Sequence, residues 1–396
     1  MMSEYESLAR AVDAAIDGKA AEAVALSDAM AADPEISESE FRSSKAHVDF
    51  IGRCGFAVEY PYHGMPTAYK GTMNAGPGGR VAIMAEYDAL PGIGHACGHN
   101  VHGAMSLLAG AGLAPVMKEL KGELRLVGTP AEETNGAKIT MAADGLFDDV
   151  DLALMIHSSN RDCRVRYRSL AMDGIEFRFA GRASHAAASP WEGRNALNGA
   201  QLFFHAIDML RQHVKPDVRM HGIYVDGGKA CNIVPETATV RFYFRSPRRA
   251  YLDGIVQKAY NAARGAALAT ETEVAWSNFE LSFDEVMPNE AAESMMEGVY
   301  RELGVAFGPG TGPEGSSDVG NVSMRCPTIQ PTLPIVDQPF ALHTRDFSAA
   351  TVGPLAHGAI VTGARLIARA ALKAFLEPGL RTAMKADFIR EKNAVE

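Results

Sequence analysis

Apolar residues follow two patterns along the chain. Short, nearly continuous apolar runs at 80–88, 123–130 and 151–157 predict strands that are buried on both faces of a sheet. Other stretches have helical spacing or many small residues. These predict one helix at 38–54 and a second helix that follows the segment beginning at residue 94 and ends at about residue 120. Strands that alternate with helices favour an α/β sandwich with a largely parallel sheet.

The middle of the chain has a different order of elements. Alternating strands are predicted at 172–181, 218–226, 236–245 and 271–277, with helices at 194–212 and 250–268. This β-α-β-β-α-β order is typical of a compact α+β unit inserted into the larger domain. We therefore predict a larger α/β domain of residues 1–171 and 280–396 and an inserted domain of residues 172–279. A long amphipathic helix at 348–375 is predicted on the outside of the sandwich.

Composition narrows the possible partners and the cellular location. The formal net charge of −10 argues against a nucleic acid or an anionic membrane as partner, because both require a basic surface. The N-terminus lacks the pattern of a signal peptide, and no apolar stretch is long enough to span a membrane. The five scattered cysteines do not form a disulfide pattern, which favours a reducing, cytoplasmic location.

Metal-ligating side chains are concentrated beyond the ends of the predicted strands. The segment GHACGHNVH at 94–102 contains three histidines and Cys97, and Asp88 lies just before it. The pair Glu132–Glu133 follows the second strand, and His157 ends the third. Thiolate, imidazole and carboxylate together form the ligand set of a transition-metal site. Two adjacent glutamates suit a division of labour in which one binds metal and the other acts as a general base.

Six consecutive motifs resemble those of one enzyme family: AEYDALPGIGHACGHN, GTPAEET, GRASHAAASPWEGRNAL, ACNIVPETATVRFYFR, EGSSDVGNVS and ALHTRDF. In this order they resemble the aminoacylase-type family of metal-dependent peptidases and amidohydrolases. That family includes hippurate and auxin-conjugate hydrolases, p-aminobenzoyl-glutamate hydrolases and β-alanyl dipeptidases. The resemblance extends from about residue 30 to 370. It implies a two-domain metallopeptidase that cleaves the amide bond of an N-acyl amino acid or dipeptide-like molecule.

The resemblance also implies a role for each residue of the metal site. Cys97 would bridge two divalent metal ions, Mn²⁺ or Zn²⁺, in the place where other branches use an aspartate. One ion would be bound by His99 and His157, and the other by Glu133 and His343. Glu132 would be the base that takes a proton from the attacking water and passes it to the leaving amine, while Asp88 would orient a ligand.

The inserted domain would complete the site as a lid and as the interface of a homodimer. By resemblance, His185 would stabilise the developing oxyanion, in many relatives across the dimer. Asn232 and Arg245 would contact the carboxylate of the substrate, the arginine through a charge-assisted hydrogen bond. Substrate would enter the cleft between the domains, and closure would exclude water.

Several alternatives stay open at this stage. His95 and His102 are either further ligands or hydrogen-bonded structural residues. Asn100 stands where the commoner motif has aspartate, so the surroundings of the metal site differ in charge. The same site could instead remove an amino group from an aromatic acid, and a non-catalytic binding protein is a rival of a different class. A cysteine hydrolase with Cys97 as nucleophile would leave the paired glutamates without a role.

Overall fold

The computed structural model describes residues 3–161, 163–310, 312–313, 315–338 and 340–395 of the 396-residue chain. In chain order the elements are α1 (Glu4–Ala32), α2 (Phe41–Arg53), β1 (Ala57–Glu59), β2 (Tyr69–Asn74), β3 (Arg80–Ala85), α3 (His99–Leu113), α4 (Met117–Leu120), β4 (Glu123–Gly128), α5 (Ala137–Ala143), β5 (Leu152–Leu154), β6 (His157–Ser159), β7 (Ala171–Ala180), α6 (Ala196–Leu210), β8 (Arg219–Asp226), β9 (Thr237–Ser246), α7 (Arg249–Ala269), β10 (Glu273–Asn278), α8 (Glu290–Glu302), α9 (Val319–Ser323), β11 (Thr328–Ile329), β12 (Thr332–Pro334), α10 (Arg345–Ala350), α11 (Pro354–Leu376) and α12 (Pro378–Val395).

The larger sheet has the strand order β1-β2-β4-β3-β5-β11. Strands β4, β3, β5 and β11 are parallel, whereas β2 pairs antiparallel with β4, and β1 pairs antiparallel with β2 at the edge of the sheet. The apolar runs are buried on both faces. Val81 and Ile83 of β3 pack with α1, α3 and α11, whereas Ala82 and Met84 pack with α5 and α9 on the opposite face. The result is the α/β sandwich that the alternation of strands and helices predicts.

Helix α3 lies at the centre of this sandwich, and all of its residues are buried. Its small residues allow close contact with neighbouring elements. A Cβ on Gly103 would lie 2.3 Å from the carbonyl oxygen of Glu86, and one on Gly112 would lie 2.6 Å from Cγ1 of Ile16 in α1. Helix α3 begins directly after the HACG segment, so its tight packing also holds that segment in place.

The second sheet has four antiparallel strands in the order β10-β7-β9-β8. Helices α6 and α7 cover it, and the two layers share a separate apolar core that includes Phe177, Phe203 and Phe242. The chain order β7-α6-β8-β9-α7-β10 is the predicted β-α-β-β-α-β order. The boundaries of the larger domain (1–171 and 280–396) and of the inserted domain (172–279) remain predictions.

The two sheets are joined by a pair of adjacent chain segments. The backbones of Met172 and Phe283 exchange hydrogen bonds of 2.8 and 3.0 Å at this junction. Arg249, at the start of α7, donates to the carbonyl oxygens of both residues. It also pairs with Asp173 at 2.9 Å and with Asp284 at 3.0 Å. One side chain therefore contacts both segments that connect the units.

Some predicted elements differ from the observed ones. Strand β2 was not expected from the pattern. The run 151–157 is two strands, with His157 at the start of β6, which pairs with β12. The helix expected at 348–375 is divided into α10 and α11, because Pro354 fits only in the first turn of a helix. Among the described residues, no helix has the length and apolar character that a membrane span requires.

Candidate metal centre

The predicted metal ligands converge at one edge of the larger sheet. The loop with Cys97 and the start of α3 follow β3, and the Glu132–Glu133 loop follows β4. His157 begins β6, beyond the end of β5. Because the carboxyl ends of parallel strands meet at the same edge, side chains that are far apart in sequence come together there.

Distances within the cluster suit shared cations. The Sγ atom of Cys97 lies 3.7 Å from Nε2 of His157. The Oε1 atom of Glu133 lies 3.7 Å from Nε2 of His343 and 3.9 Å from Nε2 of His99. The ligand atoms of Cys97, Glu133 and His343 all lie within 4.8 Å of one another. All five predicted ligands are thus placed around one small volume.

Asp88 orients two members of the cluster. Its Oδ1 atom lies 2.8 Å from Nδ1 of His99, and its Oδ2 atom accepts the backbone N–H of Glu133 at 3.1 Å. Ser37 donates a third hydrogen bond to Oδ2 at 2.8 Å. A carboxylate at Nδ1 leaves Nε2 of the imidazole to face the cluster, as metal-binding histidines require.

The unpaired atoms of the cluster fit a metal ion. Nε2 of His99 and Oε1 of Glu133 are buried and have no hydrogen-bond partner within the part of the chain that the structure describes. Burial, followed by the charges of Glu86 and Glu133, raises the pKa of Glu132 well above its ordinary value. Buried polar atoms without partners and crowded carboxylates are both costly, and a bound cation would relieve both costs.

Cys97 is unsuited to the role of a free nucleophile. Burial and the charge of Glu133 raise the pKa of its thiol well above the usual value. Reactive cysteines have the opposite property, a lowered pKa in an electropositive environment. The position instead suits a thiolate held by a metal ion, which argues against the cysteine-hydrolase alternative.

A buried charge network lies behind the cluster, and three of its members were not expected from the sequence. Nζ of Lys138 lies 2.6 Å from Oε1 of Glu86 and 2.7 Å from Oδ1 of Asp318, and all three side chains are fully buried. Oε2 of Glu86 also lies 3.6 Å from Nε2 of His99. One sequence signal was present, because Glu86 is a charged residue within the apolar run 80–88.

His102 belongs to this network. The backbone N–H of Ser158 donates to Nδ1 of His102 at 3.2 Å, so Nδ1 is unprotonated and Nε2 donates to Glu86 at 2.8 Å. Both ring nitrogens are therefore engaged, which favours the structural role over that of a ligand. His95 is buried, and burial followed by the charge of His99 lowers its pKa to about 3. It is not part of the potential metal-binding groups among the described residues.

A cavity of about 760 Å³ opens beside the cluster. Its wall includes Cys97, Glu132 and His343 from the larger unit and Tyr243 and Arg245 from the inserted unit. This volume is in the range of small-molecule sites. The backbone of His343 has a φ of 61°, a left-handed conformation that is uncommon for non-glycine residues and is concentrated at functional sites.

The three predicted residues of the inserted unit are divided between two places. Arg245 is on the cavity wall, where its Nε atom is buried and has no hydrogen-bond partner among the residues described. His185 and Asn232 are both exposed, and neither lines the cavity. They are adjacent to each other, because the backbone carbonyl of Asn232 accepts the N–H of Ala186 at 3.0 Å. Glu314, the first residue of the EGSSDVGNVS motif, lies outside the described residues.

The sequence matches the family model described as peptidase family M20/M25/M40 over residues 82–330. It is 33% identical to a Xaa-Arg dipeptidase of Mus musculus over 98% of this chain and 93% of that protein. It is 30% identical to a p-aminobenzoyl-glutamate hydrolase polypeptide of Escherichia coli K12, over 74% of this chain and 64% of that one. The solved structure of a putative aminohydrolase from methicillin resistant Staphylococcus aureus shares the fold, with a TM-score of 0.76 at 19% identity over 92% and 99% of the two chains.

Proposed function

Since the chain belongs to the peptidase family M20/M25/M40, we propose that it hydrolyses the amide bond of an N-acyl amino acid or dipeptide-like molecule at the cluster around Cys97. The observation that carries this proposal is the convergence of thiol, imidazole and carboxylate groups beside a cavity that contains an arginine. The relatives described above lend no support to the alternative of amino-group removal from an aromatic acid.

Five side chains would hold two divalent ions: Cys97, His99, His157, Glu133 and His343. When bound, such ions polarise the carbonyl of an amide and lower the pKa of a water molecule towards neutrality. The mixed S, N and O donors suit Zn²⁺ or Mn²⁺. Elemental analysis of purified protein, with ions counted per chain, tests the number and the identity of the metals.

Glu132 is the proposed proton carrier. It borders the cavity, and burial together with the charges of Glu86 and Glu133 raises its pKa, which favours uptake of a proton by this carboxylate. Its carboxylate would take a proton from the attacking water and then deliver it to the nitrogen of the leaving amine. Glu133, which faces His343 and Cys97, would remain a ligand, so the two adjacent glutamates have separate tasks.

Arg245 is the proposed anchor for the carboxylate of the substrate. Among the described residues it has no salt-bridge partner, and its one hydrogen bond to another side chain is a 3.4 Å contact with Ser316. Burial lowers its pKa, because the charged guanidinium is poorly solvated at this position. A substrate carboxylate would provide the missing partner. Glu280 lies on the same cavity wall and accepts a 2.6 Å hydrogen bond from Tyr243.

Glu280 supports a finer proposal for the preferred substrate. A carboxylate on the cavity wall suits a basic side chain, so we propose dipeptides with a C-terminal basic residue as preferred substrates, in keeping with the name of the mouse relative. The test compares kcat/KM for dipeptides that end in arginine and alanine. Glu280→Gln is expected to reduce the preference for arginine without affecting the alanine dipeptide, whereas an equal loss for both would refute the assignment.

We also propose a homodimer that completes the site. Strand β8 is an edge of its sheet, and Ile223 and Val225 on it are 64% and 49% exposed. Nδ1 of His185 accepts the N–H groups of Ala187 and Ala188, which leaves Nε2 as an exposed donor. A donor of this kind suits stabilisation of an oxyanion in the site of a partner subunit. Ile223→Lys should yield a monomer in analytical ultracentrifugation with reduced kcat, and an unchanged dimer would contradict this interface.

The irregular spacing of the five cysteines supports a proposed cytoplasmic location, because it does not form a disulfide pattern. Cell fractionation with a tagged full-length chain is the corresponding test.

The central experiment is product analysis by mass spectrometry. Metal-loaded protein is given Xaa-Arg dipeptides, p-aminobenzoyl-glutamate, β-alanyl dipeptides, N-acyl amino acids and amino-substituted aromatic acids. The expected products are a free carboxylate and an amine, formed only without chelator. Glu132→Gln should bind metal normally and lower kcat by about 10²–10⁴-fold. Near wild-type turnover by that variant would remove Glu132 from its role, and ammonia release from an aromatic acid with the amides intact would overturn the proposed reaction.

A further inference from the structure

The connector between α1 and α2 contacts the loop that carries the two catalytic-site glutamates. Glu40, at the end of this connector, is fully buried. Its Oε1 atom accepts the backbone N–H of Ala131 at 2.9 Å and the backbone N–H of Glu38 at 3.0 Å, and its Oε2 atom accepts the hydroxyl of Thr67 at 2.9 Å. A side chain 91 residues earlier in sequence thus satisfies a buried backbone donor next to Glu132.

Ala131 requires such a partner for two reasons. Its φ of 62° places a non-glycine residue in the left-handed region, which is sterically unfavourable for a residue with a Cβ. Its N–H is also buried, and a buried donor without an acceptor is strongly unfavourable. The hydrogen bond to Glu40 opposes both costs at the residue that directly precedes Glu132 and Glu133. The backbone conformation at Ala131 in turn determines where these two carboxylates point.

We infer that Glu40 is a positioning residue, which holds the Ala131 backbone so that Glu133 faces the metal cluster and Glu132 faces the cavity. This inference rests on the roles proposed above for the two glutamates. Glu40 acts through the backbone, since among the described residues it belongs to no potential metal-binding group and does not line the cavity. Asp88 holds the same loop from the other side through the N–H of Glu133.

The same connector offers a matched control. Glu35 is also buried, with 8% exposure, and its carboxylate accepts the backbone N–H of Ser43 at 2.7 Å and of Arg42 at 3.1 Å. These bonds stay within the start of α2 and do not reach the Ala131 loop. Substitution of Glu35 therefore reports the general cost of losing a buried carboxylate in this connector.

Two variants of Glu40 separate hydrogen bonding from charge. Glu40→Gln retains an oxygen that can accept from Ala131 and Glu38, while its amide group faces the hydroxyl of Thr67, which can accept as well as donate. Burial, followed by the charge of Asp88, raises the pKa of Glu40 to about 7, so an uncharged side chain is compatible with this position. Glu40→Met removes every acceptor at similar volume.

The experiment measures hydrogen exchange, metal binding and kinetics on full-length protein. In Glu40→Met, exchange in the segment 129–136 should rise at least tenfold, and affinity for Zn²⁺ and kcat should each fall about 10–100-fold, with KM changed less than threefold. Glu40→Gln should stay within threefold of wild type in all of these quantities. Glu35→Met should lower the melting temperature and leave the segment 129–136, Zn²⁺ affinity and kcat unchanged.

Three outcomes would overturn the inference. They are unchanged exchange in Glu40→Met, an equal loss of kcat in Glu35→Met, or a wild-type Ala131 amide that exchanges as fast as an exposed one. The last measurement needs no variant, so it decides the matter even if Glu40→Met does not fold. If wild-type protein hydrolyses no amide at all, the proposed function fails, while the exchange and Zn²⁺ measurements still test the role of Glu40.

Discussion

Replacement of Lys138 by methionine tests whether the buried charge network behind the metal centre is balanced by a single cation. Nζ of Lys138 lies 2.6 Å from Glu86 and 2.7 Å from Asp318, and all three side chains are fully buried. Methionine fills similar space and leaves both carboxylates without their cation. Removal of one partner of a buried ion pair costs about 3–5 kcal/mol. The expected loss of unfolding free energy for Lys138→Met at pH 8 is therefore ~3–5 kcal/mol.

The pH dependence of this loss has a definite sign. Without Lys138, the folded-state pKa of Glu86 should rise above its unfolded value, and that of Asp318, which burial already raises to about 6, should rise further, because the lysine no longer opposes the effect of burial. The folded variant binds more protons than the unfolded chain, so its stability decreases as pH rises above about 4.5, by up to about 1.4 kcal/mol per pH unit for each group. The difference in unfolding free energy between wild type and Lys138→Met should consequently be smaller at pH 5 than at pH 8.

Urea unfolding provides the assay, with circular dichroism as the signal. The two tryptophans, Trp191 and Trp276, both lie within the β7–β10 unit, so their fluorescence reports that unit separately. Lys45→Met is the matched control, because Lys45 pairs with Asp49 on the surface and such pairs contribute about 0–1 kcal/mol. A second variant, Asp318→Asn in the Lys138→Met background, should recover about 1 kcal/mol or more, because it removes one of the two uncompensated charges.

The role of Lys138 as the cation that balances this network would be refuted by a Lys138→Met protein whose stability at pH 8 lies within about 1 kcal/mol of wild type. It would also be refuted by a double variant less stable than Lys138→Met alone, because that result would mean that Asp318 is not a destabilising charge in the absence of the lysine.

Three further predictions concern other parts of the molecule. Gly98→Ala should abolish stoichiometric metal binding measured by elemental analysis, because the φ of Gly98 is 79° and a Cβ there would lie 2.7 Å from Cβ of Ser158. The control Gly92→Ala should keep full binding, because a Cβ at Gly92, where φ is 75°, would meet only open space. Arg249→Met should change kcat and KM together, because loss of the Arg249 ion pairs loosens the junction of the two units. An unchanged radius of gyration in small-angle scattering would contradict this loosening. Glu40→Gln should gain stability relative to wild type as pH rises from 4.5 to 7, by roughly 3 kcal/mol at about 1.4 kcal/mol per pH unit, because ionisation of Glu40, whose folded-state pKa is about 7, destabilises the folded wild type over this range. Curves of unfolding free energy against pH that run parallel for the two proteins in urea titrations would contradict this prediction.

The amino-acid sequence determined the elements whose patterns are local. The apolar runs at 80–88 and 123–130 are buried strands, and the alternating segments after residue 171 form the predicted antiparallel sheet. The types of the chemical groups were also readable, since Cys97, the Glu132–Glu133 pair and the histidines carry their ligand chemistry in their side chains. Short strands such as β2 were missed because six residues with mixed polarity give little periodic signal.

Only the tertiary structure decided which polar groups meet. Lys138 and Asp318 are 180 residues apart, and Glu40 and Ala131 are 91 residues apart, so no local pattern links either pair. The same holds for His102, whose two nitrogens are occupied by Ser158 and Glu86 and which sequence alone left open as a ligand. Packing of loops against a common sheet edge creates these contacts, and the low polarity of the buried interior makes each of them strong.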